Sequence, residues 1–243
     1  MARAFWGGNS EYLMVAATPI VAAPFSVALW AYTTDASKDQ SVFWLGDKDA
    51  SADFWSLILS GTAAGDPVVW QVVDSTAASA TTTAGYNADG GWHHMCGVEI
   101  SSVSRAAYFD GGSKGTDTTD RTPDNSDSCA IAMKRDTTPG SPHYGGIAEV
   151  GLWDVALTDA EVAILALGYS PRFVRPANLV ACWPLIRDDR DIVDGYNMTP
   201  YNAPSIAAHP RIIYPSPVFY SIPAAGAPPA YTVPLHHILE MSA

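Results

Sequence analysis

The sequence predicts an all-β protein built as a sandwich of two antiparallel sheets. Short segments rich in β-branched and aromatic residues follow one another at residues 25–32, 42–47, 54–61 and 68–74. Gly, Asp, Ser and Pro separate these segments, as turns between strands require. Because 48% of the 243 residues are hydrophobic and only 16% are charged, the chain can bury a large core.

The later part of the chain continues the strand pattern and adds one helix. Residues 92–100 and 106–112 have strand character, and the second segment ends in a Gly-rich turn. In LTDAEVAILAL, Thr158 and Glu161 have the spacing of a capping box, and apolar residues follow at helical intervals. We therefore expect a single helix that begins directly after Thr158.

The segment GGWHHMCGVEI raises the question of a metal site, because it contains two histidines, a cysteine and a glutamate. In a strand, side chains alternate between the two faces, so His93 and His94 point in opposite directions. His94 and Cys96 share a face, but structural zinc uses four ligands. We therefore predict buried, hydrogen-bonded structure here and no metal.

Net charge and composition exclude several classes of protein. The charge of −12 argues against a nucleic-acid partner, because phosphates would be repelled. Residues 1–169 carry 20 acidic and 8 basic side chains, whereas residues 170–243 carry 5 of each. Three cysteines cannot form a complete disulfide framework. The sequence shows no signal peptide and no apolar run of the roughly 20 residues that cross a membrane, so we expect synthesis in the cytoplasm without membrane binding.

Two motifs carry a resemblance to a known family. Residues 92–112, WHHMCGVEISSVSRAAYFDGG, resemble the central hairpin of LamG-like domains, which are jelly rolls of the concanavalin A type. Residues 131–165 resemble the second signature of that family, in which a strand leads through Trp and an Ala-Leu-Thr turn to a helix. Residues 25–32, FSVALWAY, match its aromatic strand. The resemblance covers about residues 4–167 and implies a two-sheet antiparallel jelly-roll sandwich.

The C-terminal part contains a strand that resembles the one with which such domains usually open. This segment, NLVACWPLIRDDRDIVDGYNMTP, now comes last. Because terminal strands of a jelly roll lie side by side, moving one from front to back leaves the sandwich intact. We predict a circularly permuted sandwich over residues 1–203, in which residues 178–203 supply the usual opening strand, followed by a Pro-rich apolar arm over residues 204–243. A truncated second domain is the alternative, but the segment is short for a separate core.

Concanavalin A-like folds include glycosidases, which need two carboxylates that face each other across a cleft. The nearest pair here, Glu149 and Asp154, is five residues apart and hence on opposite faces of a strand. The sequence also lacks the Gly-x-Ser-x-Gly, His-Glu-x-x-His and phosphate-loop motifs. We therefore predict a protein that is not an enzyme and that needs no cofactor.

Many relatives in this family bind calcium through loop aspartates and carbonyls. Where they commonly have Asp-Glu-Val, this chain has Ala148-Glu149-Val150, which removes one oxygen ligand. The acidic loop after the central hairpin lacks the spacing of a known calcium motif, so a solvated loop is favoured over a calcium or glycan site. The weak candidates for such a site are Asp110, Asp117, Asp120, Asp124 and Asp127. Any exposed member of the eight tryptophans would offer a sugar-stacking surface, but the sequence does not single one out.

The arm is the second informative feature. Nine of the 18 prolines lie between Pro200 and Pro234, and prolines at this density favour extended backbone. The apolar side chains between them need a covering surface. Two alternatives stay open: the arm wraps its own sandwich, or it lies across a neighbouring subunit. The predicted contact residues are Ile212, Ile213, Tyr214, Val218, Phe219, Tyr220, Tyr231 and Leu235.

The C-terminal sequence also resembles the stand-alone LamG-like proteins of tailed bacteriophages, which are often encoded among virion structural genes. The resemblance implies a non-enzymatic virion structural protein, most simply a capsid decoration protein that uses its arm for assembly. Its expected partners are other virion proteins and further copies of itself, for example in a trimer, and its expected location is the virion. The alternative is a carbohydrate-binding, lectin-like module or a tail-associated adhesin, with a glycan as partner.

Overall fold

The computed structural model describes residues 1–86 and 88–215, and it confirms the all-β sandwich. Fifteen strands in this part of the chain form two antiparallel sheets of eight and seven strands. In chain order they are β1 (Ala2–Trp6), β2 (Tyr12–Val15), β3 (Phe25–Thr33), β4 (Asp39–Gly46), β5 (Asp53–Ser60), β6 (Pro67–Asp74), β7 (Thr76–Gly85), β8 (His93–Ser101), β9 (Ser104–Phe109), β10 (Gly112–Asp117), β11 (Ser128–Ile131), β12 (Tyr144–Trp153), β13 (Leu179–Trp183), β14 (Thr199–Tyr201) and β15 (Ser205–Ala207).

Strand order shows the jelly-roll character of the fold. The eight-stranded sheet has the order β10-β9-β8-β3-β12-β1-β15, with β13 also paired to β12. The seven-stranded sheet has the order β14-β2-β11-β4-β5-β6-β7. Neighbours that are far apart in sequence, such as β3 and β12, distinguish this topology from a simple meander.

The main core lies between the two sheets. Successive residues of a strand face opposite sides, so alternate side chains of the central strands meet there. Gly97 makes room for one of the largest of them, because a Cβ at this position would come within 2.3 Å of the Trp70 ring. Fully buried members of this core include Leu29, Phe43, Leu57, Trp70 and Ile147.

Helix α1 (Asp159–Ala166) covers part of the outer face of the eight-stranded sheet. The Thr158 hydroxyl accepts a hydrogen bond from the backbone N–H of Glu161, and the Glu161 carboxylate accepts one from the backbone N–H of Thr158, which confirms the predicted capping box. Val162 and Leu165 pack into a second apolar cluster between the helix and the sheet. At eight residues, α1 is the longest helix of the described chain and far too short to cross a membrane.

The C-terminal strands complete both sheets. β13 pairs with β12 from Val150 to Trp153, whereas β1 pairs with β12 from Tyr144 to Ile147. The two strands therefore lie end to end along one edge of β12. The segment 178–203, which was predicted to join the sandwich, therefore does so through β13. The circular permutation itself stays a prediction.

The sandwich extends past the predicted boundary at residue 203. Strand β14 pairs with β2 just before this boundary, and β15 pairs with β1 beyond it, as far as Ala207. An ion pair also joins the two ends of the fold, because Arg3 Nε lies 2.6 Å from Asp189 Oδ1. The described part of the arm that lies outside the sheets therefore begins only after Ala207.

Candidate functional site

Strand β8 shows the predicted alternation of its side chains. Met95 belongs to the main core, whereas Cys96 lies in the cluster beneath α1. His93 Nδ1 lies 2.8 Å from Asp110 Oδ2, and this hydrogen bond raises the pKa of His93 above its ordinary value. His94, on the opposite face, is buried, and burial lowers its pKa to about 4. The two histidines therefore have different surroundings and no common ligand position.

The prediction of a hydrogen-bonded histidine is wrong for His94. Neither ring nitrogen has a hydrogen-bond partner among the described residues. The ring packs instead against Trp30, with centroids 5.6 Å apart in an edge-to-face arrangement. Alternation predicts which side chains share a face, but it does not show whether a polar group lies opposite.

The candidate aspartates at the two ends of β10 bind protein groups. Asp110 accepts hydrogen bonds from His93 and from the backbone N–H of His94, at 2.8 and 2.9 Å. Asp117 pairs with the guanidinium of Arg105, whose side chain is fully buried. Each carboxylate therefore already has a cationic or hydrogen-bonding partner of its own.

The loop between β10 and β11 carries two further candidates on its surface. Asp120 and Asp124 are exposed, and Asp124 accepts a hydrogen bond from the Asn125 side chain at 2.8 Å. Arg121 anchors the loop by donating to the backbone carbonyl of Thr76 at 2.8 Å. The structure therefore does not gather the five candidates into one site.

Asp127 lies beside two carboxylates that the sequence did not single out. Oxygens of Asp127, Asp47 and Asp49 lie within 4.8 Å of one another. The ammonium of Lys48 lies 2.5 Å from Asp49 and 3.0 Å from Asp127, so it already supplies a positive charge. Calcium needs six to eight oxygens, and this set as arranged fits the lysine better than a calcium ion. That the protein needs no calcium stays a prediction.

An open hollow of about 260 Å³ lies beside Trp6 at the end of β1. Trp6 is 59% exposed, which identifies it as an exposed tryptophan of the kind the sequence could not single out. The Tyr144 ring meets it edge to face, with centroids 5.6 Å apart. Tyr32, Thr34 and Ser205 also line the hollow, so aromatic faces and hydroxyl groups lie together.

Glu11 brings a buried carboxylate to the same hollow. Its Oε2 accepts the backbone N–H of Trp6 at 2.7 Å, and its Oε1 accepts the side-chain amide of Asn9 at 3.3 Å. The chain turns at Gly7, directly after Trp6. A side chain would not fit there, because a Cβ would come within 2.4 Å of the Tyr144 ring. An ionised carboxylate has about four acceptor positions, so Glu11 retains capacity for ligand hydroxyls.

Further aromatic side chains continue from the hollow along the outer face of the eight-stranded sheet. Tyr32 and Trp92 are half-buried and meet edge to face, with centroids 4.8 Å apart. Gly146 lies opposite Tyr32, where a Cβ would come within 2.3 Å of the tyrosine ring. Trp30 lies two residues away along β3 and therefore on the same face. We call Trp6, Tyr144, Tyr32, Trp92 and Trp30 the aromatic row.

Residues 208–215, here called the strap, cross the outer face of the same sheet. The backbone N–H of Ile213 donates to Gly168 at 2.8 Å, and that of Ser170 donates to Ile213 at 2.9 Å. Ile212 is half-buried, whereas the side chain of Ile213 is exposed. The described part of the arm thus lies on its own sandwich. The predicted contact residues outside the described residues are Val218, Phe219, Tyr220, Tyr231 and Leu235.

Two strap side chains bind the buried carboxylate of Glu149. The Tyr214 hydroxyl donates to Glu149 Oε1 at 2.5 Å, and His209 Nε2 lies 3.3 Å from the same oxygen. Burial by itself lowers the pKa of His209, but the bonds to Glu149 and to backbone carbonyls raise it above its ordinary value. These contacts fix the strap to the sandwich.

Glu149 and Asp154 do not form a facing pair. A bulge in β12 gives Glu149 a φ of 53° and interrupts the alternation on which the prediction rested. Glu149 lies buried beneath the strap, whereas the exposed Asp154 accepts a hydrogen bond from Asn178 at 2.9 Å. The two carboxylates therefore have separate surroundings.

Comparison with solved structures finds similar folds. Domain 4 of AbnA, a GH43 extracellular arabinanase from Geobacillus stearothermophilus, in complex with arabinotriose, is 23% identical with a TM-score of 0.51, covering 61% of this chain and 68% of that one. The heptameric SAP-like pentraxin from Limulus polyphemus is 16% identical with a TM-score of 0.52, covering 64% and 75%. The CBM40 of the Ruminococcus gnavus IT-sialidase, bound to α2,3-sialyllactose, is 11% identical with a TM-score of 0.52, covering 60% and 84%.

At these identities the likeness shows the fold alone. Comparison with curated proteins gave no match. The model of the concanavalin A-like lectin/glucanases superfamily matches residues 7–163, which is more than half of the chain, although β13 to β15 lie beyond the match. The chain therefore belongs to the concanavalin A-like lectin/glucanases superfamily.

Proposed function

We propose that this protein is a non-enzymatic carbohydrate-binding module and that it binds a sugar in the hollow beside Trp6. The observation that carries the proposal is the exposed indole of Trp6 next to the buried carboxylate of Glu11. Trp usually fills the core of a sandwich, whereas Trp6 is 59% exposed and meets the Tyr144 ring, so the two side chains present an aromatic surface at the hollow.

The chemistry of the hollow suits a sugar. The C–H face of a sugar ring packs against the flat face of an indole, while its hydroxyls need hydrogen-bond partners. Glu11 accepts such hydrogen bonds, and the hydroxyls of Thr34 and Ser205 both donate and accept. Because drug-sized ligands occupy pockets of about 300–1,000 Å³, the hollow suits one sugar unit of a larger glycan.

The comparisons support this proposal at the level of fold. Similar structures include a domain that was solved with arabinotriose and a CBM40 that was solved with sialyllactose. The non-enzymatic part of the proposal is supported by the separate surroundings of Glu149 and Asp154. Glycosidases place their two carboxylates on either side of one bond.

A glycan array tests the proposal. We expect the parent protein to bind a defined group of glycans and the Trp6→Ala variant to bind none of them. Tyr201→Ala is the matched control, because Tyr201 is an exposed aromatic residue of the seven-stranded sheet. Running the array with calcium and with a chelator separates the calcium prediction from the proposal. Equal binding by the parent and Trp6→Ala would contradict the proposed site beside Trp6.

A structural role in a phage virion is the second candidate, and it is favoured by exposed apolar side chains beside the strap. Leu167, Phe173 and Ile213 are 73%, 44% and 46% exposed. A neighbouring subunit or another virion protein would cover such a patch. Light scattering of the full chain and of a version that ends at Ala207, which removes the strap with Ile213, tests this role. A defined oligomer, such as a trimer, that becomes a monomer on truncation supports it, whereas two monomers contradict assembly through the arm.

A further inference from the structure

A narrow gap lies on the outer face of the eight-stranded sheet, next to the strap, whose Tyr214 hydroxyl bonds to Glu149 in its lining. Trp30, His94, Glu149 and Tyr169 line it. The gap has no room for a water molecule, so water cannot bond to the polar atoms of its lining.

The side chains that line the gap carry unpaired polar atoms. Glu149 Oε2 and both ring nitrogens of His94 have no hydrogen-bond partner among the described residues. Both side chains are 1% exposed, and each unpaired polar group in such a place lowers stability. Glu149 also has a φ of 53°, a left-handed conformation that costs a non-glycine residue energy. Strain and unpaired polar groups that coincide in this way indicate a functional site.

The gap is continuous with the aromatic row. Trp30 belongs to the row and also lines the gap, and Tyr32 lies two residues away on the same face of β3. At about 3.3 Å per residue, the two side chains lie about 7 Å apart along the strand. A ligand that lies along the row from Trp6 would therefore reach the gap next.

We propose that the strap is a lid over the second half of the glycan site. When the lid opens, Glu149 binds the hydroxyls of an oligosaccharide of several units whose first unit lies on Trp6, and Trp30 stacks on a unit between them. In the closed state the Tyr214 hydroxyl makes the hydrogen bond to Glu149 that a sugar hydroxyl takes in the open state. This inference rests on the proposed function. It adds that the ligand is a linear, hydroxyl-rich oligosaccharide and that the strap controls its binding.

The lid is attached in a way that a small substitution can weaken. Its described side-chain bonds to Glu149 come from Tyr214 and His209, and backbone bonds of Ile213 hold its C-terminal end. Tyr214 is 38% exposed, so Tyr214→Phe removes one hydroxyl and leaves the sandwich core unchanged. Tyr201→Phe is the matched control on the other sheet.

Calorimetric titration with trisaccharides and hexasaccharides of the malto-, cello- and arabino- series tests the inference. In the series that binds, we expect the parent and Tyr201→Phe to bind both lengths within about twofold. Tyr214→Phe should bind the hexasaccharide at least about tenfold more tightly than the trisaccharide. Adding Glu149→Gln to Tyr214→Phe should remove that gain. Hydrogen exchange at the Ser170 amide, which donates to Ile213, should become faster in Tyr214→Phe.

The outcomes separate the inference from the proposed function. If the parent binds no glycan on the array and no sugar in these series, or if Trp6→Ala binds as well as the parent, the proposed function fails, and the inference fails with it. If binding depends on Trp6 but Tyr214→Phe shows no gain with length, the lid is wrong while the site in the hollow stands. Unchanged exchange at Ser170 would equally contradict a latch made by the Tyr214 hydroxyl.

Discussion

Replacing Arg105 with methionine should destabilise the protein strongly. The guanidinium is fully buried and binds the carboxylates of Glu99 and Asp117. It also donates to the backbone carbonyls of Thr119 and Ser102, at 2.7 and 2.8 Å. One side chain therefore joins the strands β8 and β10 to the acidic loop.

The size of the effect follows from what Glu99 loses. Glu99 is 1% exposed, and without Arg105 its remaining side-chain donor in the described network is Trp70 Nε1, at 2.8 Å. Burial already raises the pKa of Glu99 although Arg105 opposes the rise. Removing one partner of a buried ion pair costs about 3–5 kcal/mol. For a protein of this size, that loss lowers the melting temperature by roughly 6–20 °C.

Urea denaturation of a double-mutant cycle measures this loss. Arg105→Met should lose about 3–5 kcal/mol, and adding Glu99→Gln should recover about 2 kcal/mol of it, because the uncompensated charge is removed. Arg175→Met is the control, since the Arg175–Glu161 pair lies at the surface and is worth about 1 kcal/mol or less. A loss below about 1 kcal/mol in Arg105→Met, with no coupling to Glu99, would refute the reasoning.

Two further predictions concern pH and calcium. Burial lowers the folded-state pKa of His94 from 6.5 to about 4, so the unfolded chain binds this proton more tightly and stability falls as the pH drops below about 6.5. His94→Leu should therefore lose roughly 2 kcal/mol less stability than the parent between pH 7.5 and pH 5. Urea unfolding at each pH measures this difference. The same pH dependence in both proteins would contradict a buried, neutral His94. Calcium should not shift the melting temperature of the parent, because the Lys48 ammonium already pairs with both Asp49 and Asp127 and occupies the position of a cation. Calorimetric titration with calcium chloride should detect binding to Lys48→Ala and none to the parent, and equal binding by both would contradict the competition.

Patterns within one element were predicted well from the sequence. The alternation of β8 separated Met95 from Cys96 correctly, but it did not show that Met95 is the one that faces the main core, while Cys96 lies beneath the helix. The Thr158–Glu161 spacing placed the start of α1, because capping depends on residues three apart in the chain. Local periodicity and capping depend on near neighbours, and near neighbours can be read from the sequence.

Features that depend on the pairing of distant strands were not predicted. The bulge that turns Glu149 toward the strap follows from β12 pairing with β3, β1 and β13 at once. Asp127 meets Asp47 and Asp49 because β11 pairs with β4, which lies far away in the sequence. The exposure of Trp6 likewise follows from its place at the end of β1. The Gly7-Gly8 turn directly after it was a local signal that could have identified this tryptophan.

The most direct test of carbohydrate binding at the hollow is an NMR titration of the tryptophan indole N–H signals. The chain has eight tryptophans, and the signal that disappears in Trp6→Phe belongs to Trp6. Adding the tightest-binding sugar from the array should shift the Trp6 signal most, with saturation at the affinity found by calorimetry. A Trp6 signal that stays unchanged while the sugar binds elsewhere would contradict the assignment of the hollow as the glycan site.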